Sequence, residues 1–150
     1  MTTTDANKDL VRRLYTDYLD ANRLDRVGDI VSPDYENGAA PGSPVRGIAA
    51  FGPIAALLAA FPDIHYTIAD LIADGDRVAV RWSWTGTHTG PYRGIAPTGK
   101  QVTNTGIAFF QIAGGKLVRG WIETDRLGFT LAIGAVADNP LFHPPVAPAR

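Results

Sequence analysis

The 150-residue chain contains no cysteine, which excludes disulfides, thiolate catalysis and cysteine-ligated metal or iron–sulfur centres. Histidine is scarce as well. His65, His88 and His143 are the only three, none at HxH or HxxxH spacing, so no metal site is expected. Charged residues make up 19% of the chain with a formal net charge of −1, and Lys and Arg form no basic run. That balance argues against nucleic acid as the main partner. No apolar run is long enough to span a bilayer, and "MTTTDANKDL" lacks the positive start and apolar stretch of a secretory leader. The expectation is a soluble cytoplasmic protein. GxGxxG, phosphate-loop and GxSxG motifs are also missing, so Ser43 and Ser83 have no activating context.

What remains is 45% apolar, enough for one domain with a real core. Leu10, Val11, Leu14, Tyr15, Tyr18 and Leu19 recur at helical spacing. Leu24, Val27, Ile30 and Val31 predict a second short helix that stops before Pro33. "NGAAPGSPVRG" reads as a loop, and residues 48–61 as a third helix that breaks or restarts at Pro53. From His65 the period changes to two. Four strands follow in "HYTIADLIA", "RVAVRWSWTGTH", "QVTNTGIAFFQI" and "LVRGWIETD", with turns at Asp74–Asp76 and at "AGGK". An amphipathic turn, "RLGFTLAIGAV", reads as helical. Helices first and antiparallel strands after predict an α+β fold, with helices packed in the concave side of a curved sheet. The expected organisation is one domain over residues 1–137 and a proline-rich tail over 138–150, extended or mobile, with His143 in it.

Alternation along the second strand puts Val78, Val80, Trp82, Trp84 and His88 on one face if no bulge intervenes. Gly86 within that pattern suggests a bulge or bend that curls the sheet. On the fourth strand Trp121, Glu123 and Asp125 share a face. Were that face the dry, concave one, desolvation would raise the carboxylate pKa values into the range useful for general acid/base catalysis. The residues alone equally allow both carboxylates to sit in water at the strand end. They also allow His88 to be a loop histidine bonded to neighbouring threonines. Tyr15 and Tyr18 could offer phenols to a carbonyl oxygen or simply pack in the helix core.

"AAFPDIHYTIADLIADGDRVAVRWSWTGTHTGPYRGIAPTGK" followed by "GGKLVRGWIETDRLG" resembles the SnoaL-type polyketide cyclases, over roughly Leu10 to Gly134. The resemblance implies the cone-shaped α+β fold of the nuclear-transport-factor-like superfamily, dimeric through the outer sheet face. It implies cofactor-free intramolecular aldol chemistry on a polyketide-like small molecule, with Asp125 as general acid/base and His88 as its pocket partner. Tyr15, Tyr18 and Asn37 are then candidate hydrogen-bond donors, with Trp82, Trp84, Phe110, Trp121 and Glu123 as further pocket residues. One departure stands out: where the family pattern D-[FY]-x-x-H carries an imidazole, "DYENG" offers Asn37 and Gly38. Three alternatives stay open. An epoxide hydrolase would use Arg81 with Glu123 or Asp125, although Ser83 stands where its triad needs an acid. A ketosteroid-isomerase-like proton transfer would pair Tyr15 or Tyr18 with Asp125. A binding protein would keep the cone without the chemistry.

Overall fold

A computed structural model describes residues 2–142. Helix α1 (Thr3–Arg13) starts at a reciprocal capping box in which Thr2 and Asp5 satisfy each other's backbone N–H groups. At Leu14 the helix widens into a π-helical segment, Leu14–Asp20, which buries Leu14, Tyr15, Tyr18 and Leu19. Such segments are rare, and they concentrate at functional sites. A short 3-10 turn (Leu24–Asp29) leads into strand β1 (Val31–Asn37). After a loop, a second 3-10 turn (Gly47–Phe51) restarts as helix α2 (Gly52–Ala60), with Pro53 in the first helical turn, where its missing N–H costs nothing. Strands β2 (His65–Asp74), β3 (Arg77–Thr87), β4 (Gln101–Ala113) and β5 (Lys116–Thr124) follow, then helix α3 (Arg126–Ala132).

The sheet order is β1-β5-β4-β3-β2, antiparallel throughout except that β1 runs parallel to β5. β1 corrects the expected second helix. Pro33 does not stop a helix there; it lies within a strand. β1 occupies the sheet edge and its ladder is bulged between Val31 and Glu36, the setting in which a strand tolerates proline. Gly114 and Gly115 both have positive φ in the two-residue β4–β5 turn, the conformation a right-twisted hairpin needs.

Gly86 marks no bulge: Thr85, Gly86 and Thr87 pair in unbroken register with Thr103, Val102 and Gln101. A Cβ there would lie 3.3–3.4 Å from Phe61, Asp63 and Ile64, so this glycine lets the α2–β2 connection press against the sheet. The register shifts fall in β2 between Ile68 and Asp70, and in β4 between Gln111 and Ile112.

The concave face carries Val78, Val80, Trp82 and Trp84 from β3, and Val102, Asn104, Ala108 and Phe110 from β4, all buried. The helices close over it. The tail from residue 143 on, with His143, lies outside the described residues.

Candidate functional site

His88 follows β3 and is fully buried. Its ring stacks on Phe61 at 5.1 Å and 18°. The backbone N–H of Thr98 donates to Nδ1 at 3.3 Å, and the Thr98 hydroxyl lies 3.1 Å from the same nitrogen. A nitrogen that accepts a backbone N–H carries no proton of its own, so the neutral ring holds its proton on Nε2. Nε2 has no hydrogen-bond partner among the described residues. His88 is therefore a fixed donor in an aromatic wall.

Sequence motifs far apart in the chain converge on that ring. Asp63 of "FPD" accepts from the Thr87 backbone N–H and hydroxyl, both at 2.7 Å, which holds its carboxyl below the usual carboxylate range. Ala60, at the end of α2, accepts from Thr89 and Gly90 N–H at 3.1 Å. A side chain at position 90 would meet the Ala59 carbonyl at 2.5 Å, so "GTHTG" needs its second glycine. The threonine that holds His88 belongs to the "PTG" turn and not to the flanking threonines.

Asp125 caps α3. Its Oδ1 accepts the Gly128 N–H at 2.8 Å, and its own N–H donates to Thr105 at 3.0 Å. The group is exposed, not desolvated. A Cβ at position 128 would lie 2.2 Å from Asp125 Oδ2, so any side chain there would push the carboxylate out of this orientation. The carboxylate lines a groove of about 550 Å³ together with Asp138, Leu127, Leu131, Val136 and Phe142. That size suits a small molecule. Asp125 and His88 share no contact.

The other sequence-predicted residues divide between two faces. Trp82, Trp84 and Phe110 face inward, as do Tyr15 and Tyr18. Tyr18 Oη accepts from Arg13 at 3.3 Å. Trp121 and Glu123 pair with the exposed Phe109 and Ile107, which puts them on the outer face. The inward residues of β5 are instead Gly120, Ile122 and Thr124. Trp121 is flanked by Arg77 and Arg119 at 5.5 and 5.8 Å and packs against Gly38, where a Cβ would come within 2.3 Å of its ring. Asn37 is exposed and its Oδ1 accepts from Ala39 in the following turn. Arg81 binds Asp70 at 2.6 Å on the outer face, so it is not paired with a β5 carboxylate.

Three inward groups were missed by the sequence reading. Asn104 lies on β4 opposite Trp84, and Tyr35 and Tyr66 enter from β1 and β2. Their signal, a polar or phenolic residue at an inward strand position, is visible only once the inward face is known.

Five mostly antiparallel strands curled over N-terminal helices define the cone of the nuclear-transport-factor-like folds, a scaffold that hosts many chemistries. The chain matches the SnoaL-like polyketide cyclase model over residues 9–133 and belongs to that family. A candidate SnoaL-like polyketide cyclase from Jannaschia sp. CCS1 superposes with a TM-score of 0.79 at 25% identity, covering 91% of this chain and 98% of that one. A candidate polyketide cyclase from Acidithiobacillus ferrooxidans gives 0.69 at 29% identity, with 91% and 100% covered. AclR of Streptomyces galilaeus, a candidate hydroxylase, gives 0.80 at 24%, with 92% and 87% covered. No curated protein matches the chain. No described helix is long and apolar enough to cross a membrane.

Proposed function

We propose that the protein is a cofactor-independent cyclase or isomerase acting on a carbonyl-bearing, polyketide-like small molecule, with Asp125 as its general acid/base. One observation carries this reading. A backbone N–H holds one oxygen of the Asp125 carboxylate, Gly128 leaves room for the other, and the group lines a groove of ligand size that also carries Asp138 and several apolar side chains. A carboxylate so oriented takes a proton from the carbon next to a carbonyl. The enolate then attacks a second carbonyl of the same molecule, and the new alkoxide is protonated. His88 does not line that groove; its buried Nε2–H would serve as a donor only to a ligand oxygen that reaches past Phe61 into the aromatic interior. In the cell the protein acts in the cytoplasm as a homodimer through the outer sheet face, where Ile72, Ile107 and Phe109 are 67%, 47% and 50% exposed.

Asparagine caps helices as well as aspartate. Asp125→Asn therefore keeps the fold and removes only the base. In deuterated water the wild type should label the α-carbon of β-keto esters, and Asp125→Asn should do so at least about a hundredfold more slowly. Equal rates from the two folded proteins would refute the role of Asp125. The exposure of Asp125 and its capping bond also fit a second reading, a binding protein without turnover, for which both proteins would bind and neither would label.

A further inference from the structure

The chain between β3 and β4 is clamped at its base and lightly held at its tip. At the base, Thr89 and Gly90 donate their N–H groups to the Ala60 carbonyl at 3.1 Å. His88 donates to Lys100 and Gly99 donates back to His88, both at 2.9 Å. At the tip, Tyr92 and Ile95 exchange backbone hydrogen bonds of 3.0 and 2.8 Å around a two-residue turn. Among the described residues, no hydrogen bond ties residues 91–97 to the rest of the molecule.

The turn does not hold itself. Arg93 has a φ of 46° and Gly94 one of 84°, the two positive values that such a turn requires. Glycine adopts them freely, whereas arginine is strained there and asparagine would suit better. A two-stranded hairpin this short is not stable in water on its own. What fastens it is side-chain packing. Within residues 91–97 only Tyr92 and Ile95 are partly buried against the core. The Tyr92 ring stands edge-on to Phe129 of α3, with centroids 5.2 Å apart at 86°. Phe129 touches Trp84 and Phe61, and Phe61 is the ring that stacks on His88.

The hairpin ends on the residue that fixes His88. Thr98 follows Pro97 directly, and its backbone N–H occupies the Nδ1 lone pair at 3.3 Å. Among the described residues Thr98 is hydrogen-bonded only to His88 and Lys100, so nothing outside this loop holds it in place. A hairpin that lifts carries Thr98 with it. The imidazole proton then moves freely between the two nitrogens, and in one of the two forms Nε2 is an acceptor where it had been a donor.

We propose that Tyr92 is a positioning residue for His88. Packed on Phe129, its ring holds the hairpin shut and so keeps Thr98 on Nδ1, and the interior donor is fixed on Nε2 only while the hairpin is closed. The inference concerns His88 and stands independently of Asp125 as the base.

The test follows two signals in wild type, Tyr92→Phe, Tyr92→Ala and Ile95→Ala. One is the solvent exchange of the backbone amides, and the other is the tautomer signature of the nitrogen-labelled His88 ring. Wild type and Tyr92→Phe should both show a protected Thr98 amide and a single Nε2–H form. Tyr92→Ala should speed Thr98 exchange about tenfold and give His88 a mixed-tautomer signature, while the Gly90 amide, which belongs to the clamp, keeps its protection. Ile95→Ala, which removes the second and smaller anchor, should act in the same direction with a smaller change. A purely structural role for Tyr92 would lower Tm without altering the His88 signature. An unchanged Thr98 amide and His88 ring in folded Tyr92→Ala overturns the proposal. So does equal loosening of Gly90 and Thr98, because the base would then move with the tip, or loosening in Tyr92→Phe, because the ring would then not be the anchor.

Discussion

On β3, β4 and β5 successive residues alternate between two faces, and the faces differ in what they leave unsatisfied. Inside, apolar surface is covered while Trp82 Nε1 and His88 Nε2 lack hydrogen-bond partners among the described residues. Outside, polar groups are paired, as Arg81 is with Asp70 and Arg119 with Glu36, while Ile72, Ile107 and Phe109 lie open. The two deficits call for different partners. Unmet donors in an aromatic interior suit a small molecule with acceptor oxygens, and uncovered apolar side chains on a flat sheet suit another protein surface.

The largest expected contrast is in stability. Trp84 is 1% exposed and contacts Phe61 and Phe129, so Trp84→Ala should cost about 3–5 kcal/mol. Phe109→Ala on the opposite face should cost under about 1 kcal/mol. Urea unfolding of both variants checks the difference, and similar losses would break the division into faces.

Next in size are two pH windows at opposite ends of the scale. Burial pushes the Tyr35 phenol up to about 12. Its neutral form therefore adds stability that is complete below an ordinary tyrosine pKa near 10 and is lost as pH rises through 12. Phenolate absorbance of the folded protein should lag that of the urea-unfolded chain across this window, and Tyr35→Phe should shrink the lag. On the outer side the Gly42 N–H, Arg119 and Arg46 hold Glu36 down at about 2. Its charge contributes stability above the ordinary value of 4.5 that disappears as pH falls through 2. The Tm gap between wild type and Glu36→Gln should be constant above pH 4.5 and close toward pH 2.

The smallest effect on the fold should come from Phe109→Ser, which changes only exposed surface. Its Tm as a monomer should stay within a degree or two of wild type (about 0.5 kcal/mol). Sedimentation should nonetheless show a dimer weakened relative to wild type, and an unchanged association constant would remove the outer face as the interface.

Much of this was legible in the sequence, and the exceptions have physical causes. The inward row of β3 could be read directly because Val78, Val80, Trp82 and Trp84 alternate without a register break. Pro53 announced the restart of α2, and the paired glycines announced the β4–β5 turn. β1 was hidden because Val27, Ile30 and Val31 match helical spacing, and a bulged parallel edge strand shows no clean alternation. The face of β5 was hidden for a different reason. Alternation says which residues share a face but not which face is inside, and here the inner position belongs to Gly120 because Tyr35 fills the space from another strand. Family position pointed to His88, but its tautomer depends on Thr98, ten residues away across a loop.

The three tryptophans sit on both faces, so their indole N–H signals report directly on which face takes ligand. The decisive measurement is an NMR titration of the nitrogen-labelled protein with ethyl benzoylacetate. Trp82 and Trp84 signals should shift on saturation while Trp121 stays in place. Movement of Trp121 alone would place the ligand on the outer face and contradict the proposed site at Asp125.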